Sequence, residues 1–317
     1  MKYMDMHCDT ITIMYQYGGE LKKNSYHIDI EKMKKGECLL QNFAVFTDIT
    51  KNNSSYTRDN VRFFHSEMEK NRDSIRQVLK FSDIKENEKN GLISAMLTLE
   101  DSGIIDNDLR NMEWFYNEGV RMMTLTWNYY NGIGYPNFDP RTGNMYDTDS
   151  EHGLTKFGFD AVEYMEELGI IPDVSHLSDK GFYDVLSCTK KPFVASHSNG
   201  RALSTAARNL TDDMIRKLAE RGGVTGLNYY SNFLKDGGED YTTLDQMVKQ
   251  AKHIVNIGGT DVIGLGSDFD GITSKLEIKD CSGMQMLYDA LKKEFTESEI
   301  EKIFYKNVLR VYEDCLK

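Results

Sequence analysis

Eight short apolar runs rich in β-branched residues recur along the chain: Tyr3–His7, Leu39–Phe46, Ile93–Leu99, Val120–Thr126, Ile170–Val174, Pro192–Ala195, Gly223–Asn228 and Asp261–Gly266. Runs of this length predict strands buried on both faces. Between most of them lie segments with helical periodicity, among them Lys156–Leu168, Lys180–Cys188, Thr211–Arg221 and Leu244–Ile257. Such alternation is what parallel strands joined by crossover helices require. Thr211, followed by Asp212 and Asp213, makes a good helix start. A doubly wound open sheet alternates in a similar way, but eight strand–helix units in 317 residues predict an α/β fold of the (β/α)8 TIM-barrel type.

With only four prolines and no linker or low-complexity tract, the whole chain, 1–317, reads as a single barrel domain. Helical pattern continues beyond the last strand, over about 282–317, further than one crossover needs. Its Leu291, Phe295, Ile300 and Ile303 read as residues packed against the barrel's outside. A formal net charge of −12 argues against a polyphosphate partner, since nucleic-acid binding relies on Lys and Arg to neutralise phosphates. The five cysteines, Cys8, Cys38, Cys188, Cys281 and Cys315, lack paired spacing and suggest neither a disulfide framework nor a thiolate metal site. No apolar stretch approaches the ~20 residues that cross a bilayer, and Met1–His7 has no signal-peptide core. The expectation is a cytoplasmic protein acting on small molecules.

The chemistry-bearing side chains are placed selectively: His7 with Asp9, then Glu100, His176, His197 and Asp268 each follow directly on a candidate strand. In a barrel of this type that end carries the active site. In His7-Cys8-Asp9 the two polar groups share a face of an extended chain and can grip one ion, although the triplet alone is weak. Val174-Ser175-His176 and Ala195-Ser196-His197 are near-copies at consecutive strand ends, so they read as a ligand pair; singly, each is as readily a satisfied histidine. Glu100 ends a mainly apolar run, where a carboxylate either caps the next helix or meets a cation. Asp268, in Ser267-Asp268-Phe269-Asp270-Gly271, is placed to move a proton beside a metal, while Asp270-Gly271 is also an ordinary turn. His27, His65, His152 and His253 lack a second ligand nearby and read as surface or structural residues.

These residues carry a family likeness covering nearly the whole chain. Seven segments occur in order: Asp5-Met6-His7-Cys8-Asp9, Gly119–Thr126, Gly153–Gly158, Asp173-Val174-Ser175-His176, Ser196-His197-Ser198-Asn199, Arg208–Asp213 and Gly266–Gly271. In these the sequence resembles the membrane-dipeptidase (renal dipeptidase-like) family of zinc metallopeptidases. The resemblance implies two Zn2+ per chain, one held by His7 and Asp9 and the other by His176 and His197, with Glu100 bridging them and belonging to the catalytic set. It also implies Asp268 as acid/base, Arg208 as receiver of the substrate's terminal carboxylate, dipeptides (L-Xaa-L/D-Xaa) as substrates, and a homodimer. Tyr230, in a segment similar to the family's Asn-Phe-Tyr, is a candidate pocket wall. Where many members read Thr-Leu-Thr-His, this chain has Thr124-Leu125-Thr126-Trp127. Trp127 or its neighbour Asn128 then stands in for the histidine's hydrogen bond to the scissile carbonyl, or metal polarisation acts alone. Fold and ligands by themselves also suit a two-metal hydrolase of lactones, cyclic amides or phosphoesters, or a catalytically silent metal-binding barrel. Arg208 favours a substrate with a free carboxylate, and the filled ligand positions disfavour the silent barrel.

Overall fold

A computed structural model of the chain describes residues 1–139, 141, 143–237 and 240–317. Its strands are β1 (Tyr3–Asp5), β2 (Cys38–Phe46), β3 (Ile75–Gln77), β4 (Ile93–Glu100), β5 (Val120–Thr124), β6 (Ile171–Asp173), β7 (Val194–Ala195), β8 (Val224–Leu227), β9 (Tyr241–Thr242), β10 (Ile263–Leu265) and β11 (Lys275–Leu276). Eight of them lie side by side in the order β2-β1-β10-β8-β7-β6-β5-β4. Every pairing is parallel, and β4 pairs back onto β2 from Leu40↔Ser94 to Phe46↔Glu100, which closes the barrel. The (β/α)8 barrel predicted from the eight runs is therefore the fold. Closure leaves the eight strands no free edge, so their backbone groups find partners around the ring.

The eight strands coincide with the apolar runs because they are buried almost throughout; along β4 all eight residues are buried, and in β2 only the last, Phe46, is partly exposed. Three further strands lie outside the ring. β3 pairs with the flank of β4, and β9 with β11 in a separate parallel pair. Near the strand ends β7, β8 and β10 approach so closely that a Cβ added at Gly226 would lie 1.9 Å from the Ser196 carbonyl oxygen. Only glycine fits there.

Local signals set the helix boundaries. Helix Lys156–Leu168 is capped by the Thr155 hydroxyl, which accepts from Gly158 N–H, and stops at Gly169 with φ 87°. Thr211 accepts from Met214 N–H and so caps helix Asp212–Glu220 instead of forming its first turn. Leu244–Gly258 opens with a reciprocal capping box between Thr243 and Gln246. None of the helices among the described residues is long and apolar enough to cross a membrane.

The C-terminal stretch forms helices Met284–Leu291 and Glu297–Glu301, a π-turn over Lys302–Lys306, and helix Asn307–Cys315. Leu291, Ile300 and Ile303 are fully buried and Phe295 partly so. The last helix lies across the end of the barrel where the strands begin. Asn307 Nδ2 donates to the carbonyls of Thr260 (2.6 Å) and Ile263 (2.8 Å), Arg310 to those of Gly222 and Asp261, and Cys315 Sγ to that of Pro192. Tyr312 reaches into the barrel, its hydroxyl donating to Asn42 Oδ1 on β2 at 3.0 Å. With the lower end closed, the opposite end, where the strands finish, is left for chemistry.

Candidate active site

Six side chains predicted from sequence converge at that upper end, all of them buried: His7 and Asp9 after β1, Glu100 ending β4, His176 after β6, His197 after β7 and Asp268 after β10. Glu100 lies between two groups. Its Oε2 is 3.5 Å from His7 Nε2, which is 3.4 Å from Asp9 Oδ2; its Oε1 is 3.0 Å from His176 Nε2 and 3.8 Å from His197 Nε2. Asp268 Oδ1 is more distant, 3.9 Å from His7 Nε2, and Asn228 Nδ2 donates to its Oδ2 at 2.9 Å. Ligand atoms of His7, Glu100 and His197 cluster tightly, as do those of His7, Asp9 and Asp268.

The imidazole hydrogen bonds show that the cluster fits a metal. His176 Nδ1 is 2.7 Å from Asn128 Oδ1, an acceptor, so Nδ1 carries the proton. His197 Nδ1 is 2.7 Å from Ser196 Oγ, whose own hydrogen goes to Asp173 Oδ2 at 2.5 Å, so this Nδ1 donates as well. Each Nε2 then presents a lone pair, and the two Nε2 atoms face each other at 3.1 Å. Two lone pairs so close repel unless a cation lies between them. Two nitrogens at about 2.0–2.1 Å from one tetrahedral metal stand roughly 3.3 Å apart. His7 Nε2, buried without a hydrogen-bond partner, faces the carboxylates on the other side. The donor set is nitrogen and oxygen with no thiolate; the nearest cysteine, Cys8, turns its sulfur to the Asn42 carbonyl. This is the set for a borderline divalent ion.

Two fully buried carboxylates behind the cluster, unassigned by the sequence reading, staple the strand ends. Asp173 accepts from the backbone N–H groups of Ser175 (3.0 Å) and Ser196 (2.8 Å) and from the hydroxyls of Thr124 (2.6 Å) and Ser196. Asp5 does the same for Ser267 N–H (2.9 Å), Ser267 Oγ (2.6 Å) and, at 3.3 Å, His7 N–H. Each thus ties a strand to the neighbouring one that leads into the cluster. Asp173→Ala strands several buried donors at once, so we expect a loss of about 3 kcal/mol of unfolding free energy, read from denaturant midpoints. With the Ser196–His197 alignment released, metal affinity should also fall about 10–100-fold.

The electrostatics point the same way. Burial, reinforced by the charge of Asp9, pushes the Glu100 carboxyl up to about 8 against the opposing pull of His7. Burial pushes Asp268 up to about 6 despite His7 and Asn228. Burial alone disfavours a charged His7, but Glu100 and Asp9 outweigh it and hold the imidazole well above its ordinary value. His176 and His197 are held well below theirs by burial, then by Arg208 and His7. Crowded carboxylates beside neutral imidazoles form a site whose free energy falls on binding a dication. The backbone is strained here too: His176 (φ 73°) and Asp268 (φ 61°) are left-handed, which costs a non-glycine residue about 1–2 kcal/mol and recurs at functional sites.

A family model described as membrane dipeptidase (peptidase family M19) matches residues 1–316. The chain belongs to the membrane dipeptidase family. It is 31% identical over 307 residues to a dipeptidase of Schizosaccharomyces pombe, covering 90% of this chain and 71% of that one. It is 34% identical over 240 residues to a Klebsiella pneumoniae protein from the pqqA 5' region, covering 75% of this chain and 88% of that one. In fold it matches the crystal structure of a metallo peptidase from Rhodobacter sphaeroides liganded with a phosphinate mimic of the dipeptide L-Ala-D-Ala. The TM-score is 0.91 at 24% identity, over 99% of both chains. As a membrane dipeptidase family member the protein is a metallopeptidase, a hydrolase, and the cluster above gathers side chains that could hold a metal ion.

Above the cluster opens a cavity of about 450 Å³ whose walls include Phe46, Trp127, Asn128, Tyr230 and Phe233. Trp127 and Tyr230 thus line the pocket. Asn128 holds the His176 ring, while Trp127 packs between Phe46 (4.9 Å between ring centroids) and Tyr129 (5.6 Å). Arg208 is buried beside the cluster, donating to Ser198 Oγ at 3.1 Å and the His197 carbonyl at 3.2 Å, while its Nε has no partner. No carboxylate among the described residues reaches it at ion-pair distance. Burial lowers its pKa to about 10 against the pull of Asp268, Glu100 and Asp173. Phe233, which the sequence did not single out, has its ring 5.5 Å from the guanidinium. Gly271 passes so near the centre that a Cβ there would lie 2.2 Å from Asp9 Oδ2 and 2.4 Å from Asp268 Oδ1. Of the remaining histidines, His27 pairs with Asp270 at the pocket rim, and His65, His152 and His253 pair with Glu118, Asp149 and Asp212 away from the cluster.

Proposed function

We propose that this membrane dipeptidase family member is a binuclear zinc dipeptidase, a single catalytic domain acting on L-Xaa-L-Xaa and L-Xaa-D-Xaa substrates. The observation that carries the reading is the two-sided Glu100, with Oε2 toward His7 and Asp9 and Oε1 toward His176 and His197. Zinc ions at these two positions would supply a nucleophilic hydroxide near neutral pH and polarise the scissile carbonyl. Arg208, a buried cation without a counter-anion among the described residues, receives the substrate's terminal carboxylate, which a planar guanidinium binds in a fixed orientation. With that end anchored, the peptide bond lies over the cluster. Asp268, oriented by Asn228, then accepts the nucleophile's proton and passes it to the departing amine. The aromatic walls keep bulk water from competing. The ligand of the Rhodobacter sphaeroides relative, a phosphinate mimic of L-Ala-D-Ala, supports a substrate of this size. The family resemblance adds a homodimer to this reading.

Two zinc ions per chain are expected by elemental analysis, with cleavage of a panel of L,L- and L,D-dipeptides that chelation abolishes and zinc restores. Two metals without dipeptide cleavage would sink the substrate assignment. No bound metal would sink the mechanism.

A further inference from the structure

The proposed orientation of the substrate makes one side of the pocket the site for the N-terminal residue's side chain. In the closed ring β2, β4 and β5 are neighbours, and β7, β8 and β10 lie across from them. Arg208 is on the far side, bonded to the carbonyl of His197 at the end of β7, and Phe233 follows β8. A dipeptide whose carboxylate sits at Arg208 and whose carbonyl sits at the cluster must project its first residue toward the ends of β2 and β5.

An aromatic wall stands there. Phe46 is the register partner of Glu100, and Trp127 follows β5 on the other flank of Glu100. Their rings meet at 4.9 Å. Trp127 also lies 6.2 Å from the His176 ring and is braced from behind by Tyr129. Tyr129 is itself fixed, its hydroxyl accepting from Ile49 N–H at 2.9 Å and donating to the Thr47 carbonyl at 3.3 Å. Among the described residues no Lys or Arg lines the pocket on this side; Arg208 stands buried on the opposite side. The lining's one carboxylate outside the central cluster, Asp270, is occupied by Thr10 and His27.

We infer that Phe46 and Trp127 form a specificity wall that selects dipeptides with an apolar or aromatic N-terminal residue, and disfavours glycine and acidic residues there. Glycine leaves the wall without a partner, and an acidic side chain loses its water without meeting a cation. This inference rests on the dipeptidase reading and on Arg208 as the anchor.

The test is kcat/KM of the zinc-loaded protein for Leu-Ala, Phe-Ala, Gly-Ala and Asp-Ala, which share one C-terminal residue. Leu-Ala and Phe-Ala should exceed Gly-Ala by about tenfold or more, the range set by a hydrophobic subsite, with Asp-Ala slowest. Trp127→Ala and Phe46→Ala, made separately, should each shrink the Leu/Gly ratio several-fold; a change in folding alone scales both substrates alike and leaves the ratio untouched. Binding supplies a readout free of turnover. In a Trp114→Phe protein Trp127 is the sole indole, and a phosphinate dipeptide analogue with a leucine side chain should change its emission more than the glycine analogue does. Cleavage with a flat profile, or an unchanged ratio in both variants, overturns the wall while leaving the dipeptidase reading intact. Failure to cleave any of the four overturns both.

Discussion

Asp268→Asn is expected to leave two metal ions bound per chain while lowering kcat for dipeptides by about 10²–10⁴-fold, the range for removing a general acid/base. The substitution is nearly isosteric, and asparagine is among the residues that best tolerate the left-handed backbone found at this position, φ 61°. Asn228, whose Nδ2 donates to Asp268 Oδ2 at 2.9 Å, still finds an oxygen there. What disappears is the capacity to take a proton and hand it on. Asp268 Oδ1 is 3.9 Å from His7 Nε2, further than Asp9 at 3.4 Å or Glu100 at 3.5 Å, so metal should stay. Elemental analysis beside steady-state kinetics decides the matter. If the variant loses its metals, Asp268 is a ligand and the proton belongs to another group.

Glu100→Gln should act on the metals first. Outer-shell partners alone are worth about 10–100-fold in metal affinity, and a carboxylate shared by two ions is worth more. E100Q protein should therefore retain at most one ion after gel filtration and show no measurable dipeptide cleavage. Without metal the effect on stability reverses. Burial, then Asp9, raise Glu100 from 4.5 to about 8, so the folded state holds a proton that the unfolded state releases. The chelated wild type accordingly loses stability from this group as pH rises from about 4.5 to 8, and E100Q does not. Denaturant midpoints of the two chelated proteins should diverge over that window, with E100Q the more stable at its upper end. Two tightly bound ions in E100Q would overturn the bridging role.

Most of this architecture was legible because burial leaves a mark on sequence. The eight barrel strands are packed on both faces and so read as mainly apolar runs. β3 left no such mark: it is three residues long, pairs only with the flank of β4, and exposes Arg76. The two-residue strands β9 and β11 are too short for any periodicity. At the site, His7, Asp9, Glu100, His176, His197 and Asp268 stood out because a polar residue directly after a buried strand requires a partner. Asp5 and Asp173 carried the same signal inside the predicted runs Tyr3–His7 and Ile170–Val174 but were absorbed into the strand pattern. A carboxylate within a fully buried strand needs several donors, and both have them. The Asn128–His176 bond, between residues 48 positions apart, and the approach of Phe233 to Arg208 arise only when the ring closes.

Closure also governs when the site can exist during synthesis. β1 leads into His7 and Asp9 but is held between β2 and β10, and β10 leads into Asp268. A ribosome-bound chain that has not yet emitted β10 cannot finish the ring, and His7 and Asp9, made first, have no fixed place beside their partners. The helix that seals the lower end is made later still, from Asn307 to Cys315. The growing chain thus has no assembled site until β10 has been made.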